Sequence, residues 1–427
     1  MLYNKCNKKE EGFMLTALRH DGTLLSLCDG WSKGELEKER EHSRFFCPDC
    51  NNPMYLKLGI KKAWHFAHMH SQSCTESIKN ESESHTQGKW LLFEWLRQQQ
   101  LDPKIEQRLS ALNQRPDLLF SANQQKYVIE LQHSTIPWNT FMNRQSGYIN
   151  EGYHVRWIGL TNDTSLPACY VTPFTIVDGF FVSYPPHEHP LTLTSFYLNP
   201  FTGTFFQYQP ILYLSPAKAF VCTHVNETFS YRSLFHYDDP SSSFTCSAMN
   251  YYFFLWSKET AKARRKPSVY RKGKAEKRIA CLLYYHHLNH RDFPALARVP
   301  IPSQFFMITP PHLWQSWIIL AFIHKRSPGS VFSIQSLQTS FKKELHHFEI
   351  RLLPFNKDIM IQRLLTEYLD ILAFFGVVKK QGPVSYEILC HLTLQKPMET
   401  LRRDDEYILE KVKGYWKENW VPEFKKE

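Results

Sequence analysis

The stretch RPDLLFSANQQKYVIELQH, residues 115–133, decides the fold and carries the most informative chemistry of the chain. It holds two β-prone runs around a polar centre, which is typical of a hairpin. If Asn123 and Gln124 form a two-residue turn, the paired positions sum to 247, and Asp117 lies opposite Glu130. Directly opposed residues of an antiparallel pair project from the same face, with Cβ atoms about 5 Å apart. The sequence therefore predicts two adjacent carboxylates at the end of otherwise apolar strands.

This acidic pair is a candidate site for a hard metal ion. Two carboxylates held so close repel one another unless a cation or a shared proton lies between them. Gln132 lies two residues beyond Glu130 and projects from the same face of the strand. Mg²⁺ needs only one or two carboxylates besides water and phosphate oxygens, so Asp117 and Glu130 suit it. The alternative is a solvated hairpin face without chemistry.

The patterns on both sides of the hairpin extend it into a larger α/β core. Helical and strand periodicities predict the order helix, three strands, helix, strand. The predicted ranges are 85–100, 104–109, 116–122, 126–133, 137–151 and 153–160. Upstream, residues 13–28 predict two short strands about an Asp21-Gly22 turn, followed by a charged helix or loop at 32–42.

Length and composition exclude several classes of protein. A chain of 427 residues, 43% of them hydrophobic, is too long for one core and too apolar for disorder. No signal peptide and no run of about eighteen apolar residues is present, so we expect a cytoplasmic protein without a membrane span. In that compartment the ten cysteines do not indicate a disulfide framework. Changes of pattern along the chain predict an α/β protein in four parts. These are a β-rich Cys/His module at 1–75, the core at 76–165, an aromatic-rich β-like region at 166–250 and a basic, mainly helical domain at 251–427.

A Cys/His segment precedes the core. Cys47 and Cys50 form a CxxC pair, and His65 and His68 follow after fourteen intervening residues. Two tight pairs of such ligands suit a structural Zn²⁺ in tetrahedral coordination, with a hairpin bringing the pairs together. Cys74 is a possible substitute ligand if one histidine faces away. The alternative is a pair of free thiols beside a turn, with histidines that only pack or form hydrogen bonds.

These motifs resemble a known family. A Pro-Asp pair ending at Asp117, followed one strand later by Glu130 and Gln132, resembles the PD-(D/E)xK nuclease superfamily, whose restriction-endonuclease-like core is αβββαβ. More narrowly, ordered motifs between about residues 13 and 160 are similar to those of the competence protein CoiA family. These motifs are CPDC, HFAH, ESESHTQGK, RPDLLF, YVIELQHSTI, the Arg144/Tyr148 helix and GYHVRWI. The resemblance implies a nuclease-like core at 76–165 and a family-like C-terminal region.

The resemblance also implies a function in natural transformation. A member would be a cytoplasmic, competence-induced protein that hydrolyses phosphodiester bonds with Mg²⁺ or Mn²⁺ and promotes recombination of incoming DNA. Its partners would be DNA, single-stranded or in recombination intermediates, and recombination or DNA-uptake proteins. Asp117 and Glu130, with the Leu131 carbonyl, would hold the metal. Gln132 stands where the superfamily has a lysine, which leaves the source of the activating positive charge open.

The first predicted helix offers a replacement for that lysine. His85 and Lys89 are spaced i, i+4 and share one helix face. Our hypothesis is that Lys89 orients a water or stabilises phosphate charge, while His85 hydrogen-bonds the scissile phosphate or a metal-bound water. The alternative is a capping histidine and an exposed lysine. Arg144 and Tyr148, also i, i+4, either bind a backbone phosphate or anchor their helix to the sheet.

The positive charge of the chain lies in its C-terminal part. Residues 1–165 carry 20 basic and 19 acidic side chains, whereas residues 258–278 hold ten Lys or Arg against two Glu. Such density favours phosphate-backbone binding, although charge runs are often only solvated faces. Aromatic runs at 180–184 and 251–254 either stack on bases of a single strand or fill the core. The candidate DNA-binding residues of the basic run are Arg264, Arg265, Lys266, Arg271, Lys272 and Lys274.

Two functional interpretations remain open. One is a metal-dependent deoxyribonuclease with a DNA-binding C-terminal region, which Asp117 and Glu130 favour. The other is a non-catalytic DNA-binding or recruiting accessory protein with a nuclease-like fold, which Gln132 favours. A regulator of transcription is the weakest interpretation, because no recognition-helix pattern supports it.

Overall fold

A computed structural model describes residues 13–60, 63–69, 82–183, 190–225, 229–236, 244–265 and 273–421. The predicted mixed α/β fold class is confirmed. The chain divides into two compact units, and the described residues of Met1–Leu166, Ser195–Gln207 and Val225–Pro240 form unit 1. The described residues of Pro167–Thr194, Tyr208–His224 and Ser241–Glu427 form unit 2. The four-part division of the sequence stays a prediction.

The strands, in chain order, are β1 (Thr16–Arg19), β2 (Leu24–Ser26), β3 (Phe45–Phe46), β4 (Pro53–Lys57), β5 (His65–His68), β6 (Lys104–Ile105), β7 (Leu118–Ala122), β8 (Gln125–Gln132), β9 (Tyr153–Leu160), β10 (Cys169–Pro173), β11 (Ser195–Leu198), β12 (Phe205–Ser215), β13 (Lys218–Val225), β14 (Val331–Ser333), β15 (Val378–Lys380) and β16 (Ser385–Ile388). The helices are α1 (Lys33–His42), α2 (Glu83–Gln98), α3 (Trp138–Asn150), α4 (Ile176–Phe181), α5 (Tyr231–His236), α6 (Cys246–Arg265), α7 (Lys274–Tyr285), α8 (Pro311–Trp317), α9 (Ile334–Lys343), α10 (Lys357–Phe374) and α11 (Met398–Asn419).

Unit 1 begins with a five-stranded sheet in the order β2-β1-β3-β4-β5. The predicted turn between β1 and β2 forms because Gly22 adopts φ +82°, a left-handed conformation that favours glycine. Helix α1 follows as predicted. Its first turn is closed by a capping box in which Ser32 and Glu35 satisfy each other's backbone N–H groups.

The predicted αβββαβ order is present as α2, β6, β7, β8, α3 and β9. The predicted hairpin register is confirmed, since the β7–β8 pairs run from Leu118 opposite Ile129 to Ala122 opposite Gln125. Asn123 and Gln124 close the turn with φ 49° and 63°, as a type I′ turn requires at both central positions. β9 and then β11 add in parallel to β8, which gives the order β11-β9-β8-β7-β6 within unit 1.

Helix α2 packs closely on this sheet, and a glycine makes the close approach possible. A Cβ atom at Gly88 would lie 3.0 Å from Leu131 Cδ1 and 3.2 Å from Leu160 Cδ2. Both distances are shorter than the optimal separation of two non-bonded carbon atoms, which is about 3.5–4.0 Å. The absence of a side chain at Gly88 therefore brings His85 and Lys89, on the same helix, next to the ends of β7 and β8.

Unit 2 combines a small sheet with many helices. β10, β13 and β12 are antiparallel neighbours, as the β-like pattern of the third predicted part indicates. The boundary between the units falls within β12, after Gln207. α6 to α11 make the remainder mainly helical, with a second sheet in the order β14-β16-β15. Throughout the described part of the chain, each helix is too short or too polar to span a bilayer.

Candidate active site

The hairpin brings the two predicted acidic residues to one place. The last β7–β8 pair joins Leu118 to Ile129, so Asp117 and Glu130 occupy the next opposed positions. Both side chains are buried. Burial disfavours the charged form of a carboxyl group, so their ionisation depends on the groups around them.

Asp117 is held in its ionised form. The Leu131 N–H donates to Asp117 Oδ2 at 2.8 Å, and His85 Nε2 lies 3.3 Å from the same oxygen. Lys89 Nζ lies 4.0 Å from Asp117 Oδ1. Burial alone would raise the pKa of Asp117, but the charge and hydrogen bond of His85, followed by the charges of Lys89 and Arg144, hold this pKa well below its usual range.

The pKa of Glu130 is shifted in the opposite direction. Burial, together with the charge of Asp117 and a hydrogen bond between the two carboxyl groups, raises the pKa of Glu130 to about 7. Arg144 Nη2 and the Tyr148 hydroxyl both donate to Glu130 Oε1, each at 2.6 Å, and they offset part of this rise. Two neighbouring carboxyl groups with pKa values pushed apart are a frequent arrangement in active sites.

His85 contacts both Leu131 of β8 and Asp117, the residue before β7. Its Nε2 lies 3.0 Å from the Leu131 carbonyl oxygen, which can only accept, so Nε2 carries the proton and donates. The carbonyl oxygen of Leu131 and the carboxylate of Asp117 thus converge on one imidazole N–H. Mg²⁺ binds oxygen ligands in proteins, and this carboxylate and this carbonyl group are both of that type.

Beneath the acidic pair lies a buried ion pair that the sequence patterns did not indicate. Lys89 Nζ donates to Glu106 Oε1, and the Thr16 hydroxyl donates to Glu106 Oε2 at 2.7 Å. Glu106 adopts φ 51°, rare for a residue with a side chain, and its N–H donates to the Asp117 carbonyl at 3.0 Å. Glu106 therefore fixes both the ammonium group of Lys89 and the backbone of Asp117.

The site is partly exposed to solvent. The side chains of Lys89, Glu106 and Glu130 are enclosed, whereas those of His85, Asp117 and Arg144 keep some exposure, with Arg144 the largest at 27%. A substrate would therefore meet His85, Asp117 and Arg144 first. Lys89 is fully buried, so any effect it had on a substrate would pass through Asp117.

The structure also places two further predicted site residues, Gln132 and Tyr148. The side-chain amide of Gln132 donates to the Ser134 carbonyl at 2.6 Å. Tyr148 is buried with its hydroxyl on Glu130 of β8, which fits the second of its two predicted roles, anchoring of α3 to the sheet, and not contact with a DNA phosphate. The i, i+4 spacing placed Arg144 and Tyr148 on one helix face, but that face is packed on the sheet.

The Cys/His segment brings three of its four predicted ligands together. Cys47, Cys50 and His68 have ligand atoms that all lie within 4.8 Å of one another, with Cys50 Sγ 3.4 Å from His68 Nε2. Burial raises the pKa of the Cys47 thiol, whereas backbone N–H groups of Cys50 and Asp49 donate to its sulfur and oppose that rise. Such N–H groups favour the thiolate that binds metal. This cluster can therefore hold a metal ion.

His65 is not part of this cluster, so its assignment as a ligand is wrong. It lies three residues before His68 in β5, and an odd spacing along a strand places side chains on opposite faces. Its Nδ1 contacts the Ala63 carbonyl oxygen at 2.8 Å and its ring packs 4.1 Å from that of Phe13. Cys74, the proposed substitute, lies outside the described residues.

The predicted DNA-binding residues of the basic run divide into three groups. Arg264 is buried and paired with Asp405, so the prediction that it binds DNA is wrong. Arg265 and Lys274 are exposed. Lys266, Arg271 and Lys272 lie outside the described residues. Of the predicted aromatic stacking residues, Phe180, Phe181, Tyr252 and Phe253 are buried, and Tyr251 and Phe254 are exposed. Tyr184 lies outside the described residues.

Comparison with known proteins places these features in a family. Residues 28–77 match the N-terminal domain of competence protein CoiA, residues 81–239 its nuclease-like domain and residues 254–400 its C-terminal domain. Competence protein CoiA of Bacillus subtilis (strain 168) is 25% identical over 340 residues, which cover 79% of this chain and 87% of that protein. No solved structure matches significantly. With three domain models matching in sequence order, we conclude that the chain belongs to the competence protein CoiA family and has a competence-related role.

Proposed function

We propose that the chain is a metal-dependent deoxyribonuclease that processes incoming DNA during natural transformation and promotes its recombination. The observation that carries the proposal is the pair of opposed, buried carboxyl groups of Asp117 and Glu130 in the nuclease-like domain, whose pKa values are shifted in opposite directions. A hairpin face that was merely solvated would not be enclosed by a buried lysine, an arginine and a tyrosine.

Asp117, Glu130 and the carbonyl oxygen of Leu131 would hold Mg²⁺ or Mn²⁺, and their oxygen donor set fits such an ion. The bound ion would polarise the phosphoryl oxygen and lower the pKa of a water. Without a metal, a proton shared between the two carboxyl groups would hold the place of that positive charge. Glu130 must give up this proton to become a ligand, and a pKa of about 7 makes that step cheap near neutral pH.

The other residues orient these groups and meet the substrate. Lys89, fixed by Glu106, keeps Asp117 ionised and takes the place of the lysine that Gln132 does not provide. His85 Nε2 donates to the Leu131 carbonyl oxygen beside Asp117, and with a metal ion on those two oxygens it would be released to donate to a phosphate oxygen instead. Arg144 is partly exposed and adjoins Glu130, so its guanidinium can stabilise charge that develops on the phosphate.

A cleavage assay tests the proposal. The full chain should cut labelled single- or double-stranded DNA with Mg²⁺ or Mn²⁺, and Asp117→Asn or Glu130→Gln should reduce the rate at least about a hundredfold. Glu367→Gln is a matched control, because Glu367 is also buried with its pKa raised to about 7 but belongs to unit 2. Cleavage that survives both site substitutions would refute the assignment.

A non-catalytic DNA-binding or recruiting protein is the second candidate. Gln132 turns to Ser134, and Arg144 with Tyr148 already satisfies Glu130 Oε1 without a metal. This interpretation predicts that the wild type and Asp117→Asn bind DNA equally and that neither cleaves it with any divalent ion.

We also propose a structural zinc ion at Cys47, Cys50 and His68, with the fourth ligand left open. Purified protein should contain one zinc, and Cys47→Ser should lose the metal and unfold at a lower temperature. Cys28→Ser is the control, because Cys28 is a buried cysteine of the same hydrophobic core outside the cluster. Zinc-free protein with an unchanged melting temperature in Cys47→Ser would refute the site.

A further inference from the structure

Helix α6 of unit 2 exposes a continuous stripe of aromatic and basic residues. Tyr251, Phe254, Lys258, Lys262 and Arg265 are all exposed. Their spacings of three or four residues place them on one helix face. The opposite face fills the core of unit 2 with Ala248, Met249, Tyr252, Phe253, Trp256, Thr260 and Arg264. We call the five exposed residues the α6 stripe.

The α6 stripe has an aromatic end and a cationic end. Tyr251 is 44% and Phe254 51% exposed, which is unusual for large rings in a helix whose other face is buried. The ammonium of Lys258 lies 4.1 Å from the centre of the Phe254 ring. Lys262 and Arg265 continue the stripe for two further turns, so that its length is about 21 Å.

We propose that the α6 stripe binds single-stranded DNA, with bases stacked on Tyr251 and Phe254 and phosphates bound by Lys258, Lys262 and Arg265. This inference rests on the proposed function, because it takes DNA as the substrate, and it specifies the strand type. Aromatic platforms next to basic side chains are the recurrent means of binding unpaired strands, since every base offers a flat face. In a duplex, bases are stacked on one another and an exposed ring has nothing to gain.

Charge and layout favour this occupant over others. The five residues of the stripe carry three positive charges, of which Lys262 is paired with Glu259 at 3.2 Å, and the remaining positive charge matches a phosphate backbone. Helices that lie on membranes separate apolar and charged residues around the helix axis. In α6 the apolar face is already buried in unit 2, and the exposed aromatic and basic residues are separated along the axis instead.

Fluorescence anisotropy tests the inference with the full chain, a labelled oligothymidylate and Ca²⁺ in place of Mg²⁺. Tyr251→Leu with Phe254→Leu keeps apolar bulk but removes both rings, and it should weaken binding at least about tenfold. Phe254→Trp should retain the affinity. Replacing the three cations by Gln should reduce the slope of log K against log salt by about 2. Duplex affinity should change little in the aromatic double variant.

α11 provides a matched control. Tyr407 is 61% exposed, and Lys411, four residues on, lies 5.7 Å from its ring centre, which repeats the Phe254–Lys258 arrangement. Tyr407→Leu with Lys411→Gln should leave oligonucleotide binding unchanged. The inference would be overturned by unchanged oligonucleotide binding in the α6 variants, or by an equal loss of affinity in the α11 variant. It would also be overturned if the α6 variants lost affinity only for anionic lipid vesicles and not for the oligonucleotide. Stripe-dependent DNA binding by the wild type without any cleavage in the presence of Mg²⁺ or Mn²⁺ would refute only the nuclease proposal.

Discussion

Glu130 should make the stability of unit 1 fall as pH rises. Its pKa is raised from 4.5 to about 7, first by burial and then by Asp117. Between these two values the folded protein keeps the proton on Glu130, whereas the unfolded chain releases it. The free energy of unfolding therefore decreases through this window by about 1 kcal/mol per pH unit and by about 3 kcal/mol in total.

Glu130→Gln removes the titrating group, so it should also remove this pH-dependent contribution to the free energy of unfolding. The free energy of unfolding of the variant should fall between pH 5 and pH 8 by about 3 kcal/mol less than that of the wild type. Urea unfolding followed by tryptophan fluorescence measures both, because Trp157 lies 5.4 Å from the Arg144 guanidinium beside the site. Asp117 affects stability at lower pH. Because its pKa is lowered in the folded protein, its contribution to stability is present above the usual pKa of a carboxyl group and is lost as pH falls below that value.

Glu367→Gln separates the site from a general effect of burial. It should remove a similar pH-dependent contribution to the free energy of unfolding of unit 2, because burial raises the pKa of Glu367 to about 7 as well. Added Mg²⁺ should flatten the pH dependence of the wild type and of Glu367→Gln but have no effect on Glu130→Gln. Equal slopes for wild type and Glu130→Gln would mean that Glu130 is ionised throughout, and the reasoning would be refuted.

Three further predictions concern the same site. Glu106→Gln leaves the buried Lys89 without its carboxylate and should cost about 3 kcal/mol of unfolding free energy in urea; a loss below about 1 kcal/mol would show that Lys89 is neutral. Gly88→Ala crowds Leu131 and should destabilise by about 1–3 kcal/mol, whereas Gly414→Ala on α11, with open space at its Cβ position, should be neutral or stabilising. Calorimetry in two buffers should show about 0.9 proton released per Mg²⁺ at pH 6 and about 0.1 at pH 8, and none at either pH for Glu130→Gln.

The acidic pair was predictable because a two-residue turn sets the register of a hairpin completely. Glu106 was not, although it belongs to the same kind of pairing. β6 and β7 pair with Lys104 opposite Leu119, so Glu106 falls opposite Asp117. The chain between these strands contains no short turn, and without one the sequence does not fix which residues face each other.

The errors on His65 and Arg264 had signals that a stricter use of periodicity would have found. A ligand pair three residues apart fits a helix or a loop, but residues 65–68 form a strand, where the period is two. Arg264 continues the buried series Tyr252, Trp256 and Thr260 at intervals of four, so helical periodicity assigns it to the buried face. Charge density alone does not distinguish a buried arginine with an acidic partner from an exposed one.

The charges of the site link metal binding to substrate binding. With His85 charged, as its effect on Asp117 requires, and Glu130 protonated, three cationic groups face two carboxylates and the site carries about one net positive charge. Binding a divalent cation with loss of the proton on Glu130 would add one further positive charge. A phosphodiester carries one negative charge, so each ligand would favour the other, as linkage requires. The proton that Glu130 would lose therefore limits the gain in positive charge to one unit per metal ion, and that gain would strengthen the attraction of the site for DNA.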